Sequence, residues 1–153
     1  MKINIYIIDK KSKNDLYSPL VEHYKKLCSQ FAQVEIIELF SNSISKAQET
    51  NISLAQKSYS MAFDKYLQSG FNISLNPSSK ELDSIKFSEL FKDKLVVNFF
   101  IGGAFGLERA FLDKSNLDIS FGKITLSHKL FKVVLMEQIF RGLSIINNHP
   151  YHK

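Results

Sequence analysis

The sequence predicts an α/β fold with a mainly parallel sheet and flanking helices, and three observations carry that prediction. Runs rich in β-branched residues alternate along the chain with runs whose apolar positions recur every three or four residues. Residues 95–101 are a run of strand length that is apolar at every position but Asn98, as expected for a strand covered on both faces of a parallel sheet. The last long helical stretch is apolar over far more than the single stripe of a helix packed on one surface.

Taken in order, residues 3–8 form the first strand, and Asp9, Lys10, Lys11, Ser12, Lys13 and Asn14 a polar loop. Leu16, Leu20, Tyr24, Leu27 and Phe31 predict a helix over 16–31, with Pro19 in its tolerant first turn. A strand over 34–40 leads into a polar segment, 41–51, read as loop or frayed helix. Ile52, Ala55, Tyr59, Phe63, Tyr66 and Leu67 mark a helix over 52–68, stopped at Ser69-Gly70. A short strand, 71–75, ends in a turn at Asn76-Pro77-Ser78-Ser79. Asp83 caps a helix over 84–91 whose inner face is Phe87, Leu90 and Phe91.

The apolar strand 95–101 runs into the loop Gly102-Gly103-Ala104-Phe105-Gly106, and a helix over 107–113 follows. Extended pieces at 117–120 and 124–126 flank Phe121-Gly122-Lys123, and the apolar terminal helix closes the chain. That helix needs cover on two sides, which its own sheet and a second copy of the chain would supply. Its polar Glu137, Arg141 and Ser144 share one line. With no linker, repeat or low-complexity segment, residues 1–153 are read as one domain.

Composition narrows the function classes. A net charge of +5 and a pI near 9.2 favour acidic partners such as RNA. The lone Cys28 excludes an internal disulfide and a multi-cysteine metal cluster. No window approaches the roughly 18 apolar residues of a membrane helix. The N-terminus has no signal-peptide cleavage pattern, so a cytoplasmic location is expected, with no membrane partner.

Two stretches hold the candidate chemistry. Gly102, Gly103 and Gly106 after a buried strand permit close backbone approach by a ligand, though a tight strand-to-helix turn explains them equally well. Their G-G-x-x-G spacing is not the dinucleotide fingerprint, and no G-x-x-x-x-G-K-[ST] exists in the chain. The second stretch, from residue 124 to the end, carries His128, His149, His152 and Tyr151. Three histidines there suit proton handling or phosphate binding better than a metal, because no cysteine accompanies them. Tyr151 suits stacking on an unpaired base, and Lys10, Lys11, Lys13, Lys25 and Lys26 suit a phosphate backbone, with a solvated surface the plain alternative. Chemistry is expected where the glycine loop and this tail meet.

Ile101-Gly102-Gly103 with Gly106-Leu107, then Ser127-His128, Glu137 and Arg141, and the ending Asn148-His149-Pro150-Tyr151-His152-Lys153, resemble the RlmH family over the whole chain. These are small SPOUT-class methyltransferases acting on a pseudouridine in large-subunit ribosomal RNA. The resemblance implies a C-terminal trefoil knot, S-adenosylmethionine as methyl donor, and a homodimer with its site at the interface. It implies cofactor contacts at Leu75, Gly102, Phe121, Gly122, Lys123, Ile124, Thr125 and Leu126. His128, Arg141, His149, Tyr151 and His152 would face the RNA, which is expected in the assembled ribosome, and Lys132 would contact phosphate. For transfer to N3 of pseudouridine, His149 and His152 are the candidate bases, with Arg141 or Lys132 steadying negative charge.

This chain departs from the family pattern at Ser127, where Pro is usual, and at Lys132, where Arg is usual. It also departs at Phe105, at Asp9 before Lys10, and at Ser79 before Lys80. The departures at 127 and 132 support an alternative: a ribosome- or RNA-binding dimer of the same fold without catalysis. The tail is expected to contribute little to the core.

Overall fold

The computed structural model describes residues 1–12 and 15–153, so Lys13 and Asn14 of the predicted loop lie outside the described residues. Five strands form one parallel sheet: β1 (Lys2–Ile8), β2 (Gln33–Leu39), β3 (Phe71–Glu81), β4 (Val96–Ile101) and β5 (Leu117–Ser120), in the order β2-β1-β4-β3-β5. The helices are α1 (Ser18–Cys28), α2 (Asn42–Thr50), α3 (Ile52–Phe63), α4 (Ser84–Glu89), α5 (Arg109–Leu112) and α6 (His128–Ile146).

The two-residue period of the strands sorts their side chains to two cores. Ile3, Ile5, Ile7, Val97, Phe99 and Ile101 face α1, α4 and α6, while Tyr6, Ile8 and Phe100 face α2, α3 and α5. β4 is buried on both faces, as its largely apolar run predicts. A polar row crosses the second face. Asn4 donates to Asn98 at 2.8 Å, and Asn98 donates to Asn72 at 2.9 Å and to the Ser69 carbonyl. A one-residue slip would strand these buried amides, so the row fixes the register of β1, β4 and β3.

Three sequence expectations are corrected. Asn42–Thr50 within the segment 41–51 form a regular helix, α2, because Ser41 caps it through Ile44 N; Asn51 then caps α3 through Leu54 N, so the two helices share one hinge residue. β3 does not end at Leu75: Leu75 and Lys80 both pair with Ile119, and Asn76–Ser79 is an excursion between them. Residues 124–126 make no strand and belong to a loop before α6.

α6 takes its broad apolar surface from within the chain. The sheet lies beneath it and α1 and α4 pack on its flanks. Its breadth therefore gives no reason of its own for a second copy. No helix among the described residues is long and apolar enough to cross a membrane.

Candidate active site

A pocket of about 170 Å³ opens at the C-terminal ends of β4, β3 and β5. This is where an open parallel sheet leaves a crevice, because the connecting chains diverge there. Three loops wall it: the β3 excursion with Asn76 and Pro77, the glycine loop 102–106, and the loop 121–127. The first turns of α6 close the fourth side with His128 and Phe131.

The glycine loop is shaped by α3 behind it. A Cβ on Gly103 would lie 2.5 Å from Tyr59 Cζ, so only glycine lets the loop seat there. Gln48 donates to the Tyr59 hydroxyl at 2.7 Å, and Gln56 donates to the Phe105 carbonyl at 2.8 Å, which pins the loop from outside. Gly103 is thus required by the approach of Tyr59, a reason internal to the fold. Gly122, with φ of +121°, occupies backbone that side chains disfavour, and the space beside it is open. Ser120 Oγ holds that turn, donating toward the Pro77 and Gly122 carbonyls and accepting from Gly122 N at 3.0 Å.

Of the residues named from the resemblance as cofactor contacts, Leu75, Gly102, Phe121, Gly122, Ile124, Thr125 and Leu126 line this pocket. Lys123 is exposed and does not line it. The reading missed Pro77, Ile119 and Phe131, apolar wall residues brought in by the sheet edge and by α6. Ser127 caps α6, its Oγ accepting from Leu130 N at 3.4 Å. Proline could not make that bond, so the serine has a structural reason to be there.

The tail residues do not meet the glycine loop in this chain. Arg141 lies thirteen positions after His128, about 20 Å along the helix at the usual rise. There Glu137 Oε1 accepts from Arg141 Nε at 3.0 Å and from the Tyr151 hydroxyl at 3.1 Å, while the guanidinium sits 4.8 Å from the centre of the Tyr151 ring. Burial, then the Glu137 hydrogen bond, push the Tyr151 hydroxyl up to about 12, so it remains a donor. The Glu137 hydrogen bond also raises the Arg141 guanidinium. His152 Nδ1 is 3.4 Å from Arg141 Nη1; arginine only donates, so in this contact Nδ1 accepts and the ring proton belongs on Nε2.

The end of α6 explains how the tail gets there. Asn148 takes φ of +54°, His149 N reaches the Ser144 carbonyl at 2.8 Å, and Asn148 N reaches that of Ile145. This is a Schellman stop with asparagine at the left-handed position. It turns the chain back, so His149 packs edge-on to Phe31 and Phe140, and Tyr151 lies 4.6 Å from the Phe140 ring. The expectation that the tail stands apart from the core is corrected: its aromatic groups cover Phe140. His149 Nδ1 is buried with no hydrogen-bond partner among the described residues.

Lys132, expected at phosphate, is buried and paired with Glu38 at 2.7 Å, tying α6 to the end of β2.

Comparison with known proteins decides the family. A family model described as "Predicted SPOUT methyltransferase" matches residues 1–152. The chain belongs to the SPOUT methyltransferase family. Among curated relatives, it is 65% identical over its full length and theirs to a "Ribosomal RNA large subunit methyltransferase H" of Sulfurovum sp.. It is 46% identical to the protein of that name from Wolinella succinogenes and 44% identical to that from Campylobacter lari, again with both chains fully covered.

Proposed function

We propose that this protein methylates large-subunit ribosomal RNA, using S-adenosylmethionine and working as a homodimer, with N3 of a pseudouridine in the assembled ribosome as the acceptor. The observation that carries the proposal is the pocket at the strand ends, lined by seven of the residues that the RlmH resemblance assigns to the cofactor. Full-length identity of 65% to a ribosomal RNA large subunit methyltransferase supports the substrate class. The walls suit the donor. Leu75, Ile119, Leu126 and Phe131 offer apolar surface to an adenine ring, and the backbone of Gly102 and Gly122 offers hydrogen bonds without side-chain obstruction.

When bound, S-adenosylmethionine supplies a methyl group activated on a sulfonium. This chain's residues must hold the acceptor in line with that methyl, exclude water, and handle the N3 proton. Arg141 is suited to steadying the negative charge that develops on the base, being a permanent cation already oriented by Glu137. His152, whose Nδ1 lies 3.4 Å from Arg141 Nη1, and His149 are the candidate bases in the tail; His149 must leave its aromatic cage, or use Nε2, to take a proton. Because Arg141 is about 20 Å from the pocket of its own chain, the tail cluster would act on the pocket of a second copy. The threading of the C-terminal chain into a trefoil knot belongs to the same reading, as does action in the cytoplasm.

The test is transfer of labelled methyl to ribosomes or isolated large subunits that lack the modification. Incorporation at a single pseudouridine is expected. A folded dimer that binds S-adenosylmethionine yet transfers nothing would refute the enzyme reading. Of the two departures behind the non-catalytic alternative, Ser127 has a structural reason of its own, since it caps α6.

A further inference from the structure

The excursion Asn76–Ser79 walls the pocket although none of its four residues is buried. Pro77 and Ser78 are exposed, and Asn76 and Ser79 are half-buried. Burial cannot fix such a segment, so hydrogen bonds must. Ser120 Oγ reaches the Pro77 carbonyl at 3.2 Å. Asn76 Nδ2 donates to Ser79 Oγ at 3.0 Å, and Ser79 Oγ donates to Asp118 Oδ2 on β5. Chemistry sets the direction of this relay. An ionised carboxylate only accepts, so the one hydroxyl proton of Ser79 belongs to Asp118, and Ser79 can only accept from Asn76. The Asn76 amide must then turn its nitrogen to Ser79, which leaves Oδ1 as its acceptor. No described residue donates to that oxygen, and it is open to approach rather than buried. Asn76 lines the pocket, while Ser79 and Asp118 stand behind it. Ser79 is also a position where this chain departs from the family pattern, so the relay is this chain's own device.

We infer that Asn76 is a cofactor-binding residue, its Oδ1 accepting a hydroxyl or amino hydrogen of S-adenosylmethionine, and that Ser79 and Asp118 are positioning residues that hold its amide for that contact; the inference rests on the S-adenosylmethionine reading above. The methyl donor carries ribose hydroxyls, an adenine amino group and an ammonium, all of them hydrogen-bond donors. A mostly apolar pocket orients such a ligand through a few placed polar groups. An unheld amide would offer its nitrogen as often as its oxygen, and the nitrogen meets a donor with a donor. The relay removes that choice before the ligand arrives, which lowers the ordering cost of binding.

The experiment measures S-adenosylmethionine binding by calorimetry, with thermal melts beside it. The proteins are wild type, Asn76→Ala, Ser79→Ala, Ser79→Thr and the double variant that joins Asn76→Ala to Ser79→Ala. Asn76→Ala should raise Kd about fivefold, the worth of one ordinary hydrogen bond. Ser79→Ala should raise it about two- to threefold, because the amide then presents either end. Ser79→Thr keeps the hydroxyl and should restore the wild-type Kd. The double variant should match Asn76→Ala alone, since Ser79 acts only through the amide. Tm should change little throughout, because the segment is not part of the core. An unchanged Kd in Asn76→Ala would overturn the binding assignment, and losses that multiply in the double variant would overturn the relay. Wild type that binds no S-adenosylmethionine would instead refute the parent reading. Should Asn76→Ala fail to fold, nitrogen-15 labelling of the wild-type protein gives a readout free of variants. The side-chain amide resonances of Asn76 should shift as S-adenosylmethionine saturates the pocket, and resonances that stay in place would overturn the inference.

Discussion

The two ends of α6 solve opposite problems. At its N-terminal end, backbone makes the site: glycine turns, a strand that leaves the sheet and returns, and a serine cap leave a pocket open. At its C-terminal end, side chains make the site, and they satisfy one another. Arg141, Glu137, Tyr151 and His152 are joined by hydrogen bonds, and His149 is covered by Phe31 and Phe140. The pocket end is shaped to receive a ligand without help. The tail end is closed on itself. On the proposed reading, the difference separates a binding half from a reacting half within one chain, about a helix length apart.

Deleting residues 149–153 should separate the halves most sharply. Methyl transfer should fall on the order of a thousandfold, because groups that act only with RNA in place are lost. S-adenosylmethionine affinity, read by calorimetry, should change little. Unlike a loose chain end, this tail also covers Phe140, so stability should fall by about 2 kcal/mol, lowering Tm by roughly 4–8 °C.

Gly103→Val attacks the other half. Its side chain would run into Tyr59, so the loop must shift, and S-adenosylmethionine affinity should drop about tenfold or more at a small cost in Tm. The hydrogen bonds around Arg141 should persist, and calorimetry beside thermal melts checks both statements.

Lys132→Met should lower stability by about 3 kcal/mol, because Glu38 is left without its partner in a largely buried place. Pairing it with Glu38→Gln should recover most of that loss. Failure of the double variant to recover would mean Lys132 acts outside the ion pair. The smallest effect concerns Asp15. Hydrogen bonds, led by that from the Ser18 hydroxyl, lower its carboxyl to about 2. Its stabilisation is therefore present above about pH 4 and is lost as pH falls toward 2. Asp15→Asn should flatten that acid limb of a Tm-versus-pH profile and leave the neutral pocket unaffected.

Much of the sheet was legible because β-branched runs and the apolar run into Ile101 obey one simple rule, burial on alternate or both faces. The helix α2 was not, since its polar composition hid the capping pattern of Ser41 and Asn51. The β3 excursion was not, because a turn at Pro77 reads the same whether the strand ends or resumes. At the site, the glycines announced a close approach but not to what: Tyr59 is 44 residues away from Gly103 in sequence. Lys132 and Glu38 were separately unremarkable charges, and only folding makes them a pair. The tail's return onto Phe140 was written in Asn148, a residue that tolerates left-handed backbone, two positions ahead of Pro150.

The central claim is that a pocket from one copy works with the tail cluster of another. Mixing two disabled variants tests it: Gly103→Val, defective in the pocket, and Arg141→Ala, defective in the tail. With S-adenosylmethionine held well below the Kd of the Gly103→Val variant, each homodimer alone should fall to about a tenth of the wild-type rate or less. Subunit exchange would give heterodimers in which one site combines the intact pocket of the Arg141→Ala chain with the intact tail of the Gly103→Val chain. The account predicts that methyl transfer recovers to about a quarter of the wild-type rate, since about half the dimers carry one good site of two. A mixture that exchanges subunits and stays as inactive as its parents would contradict it.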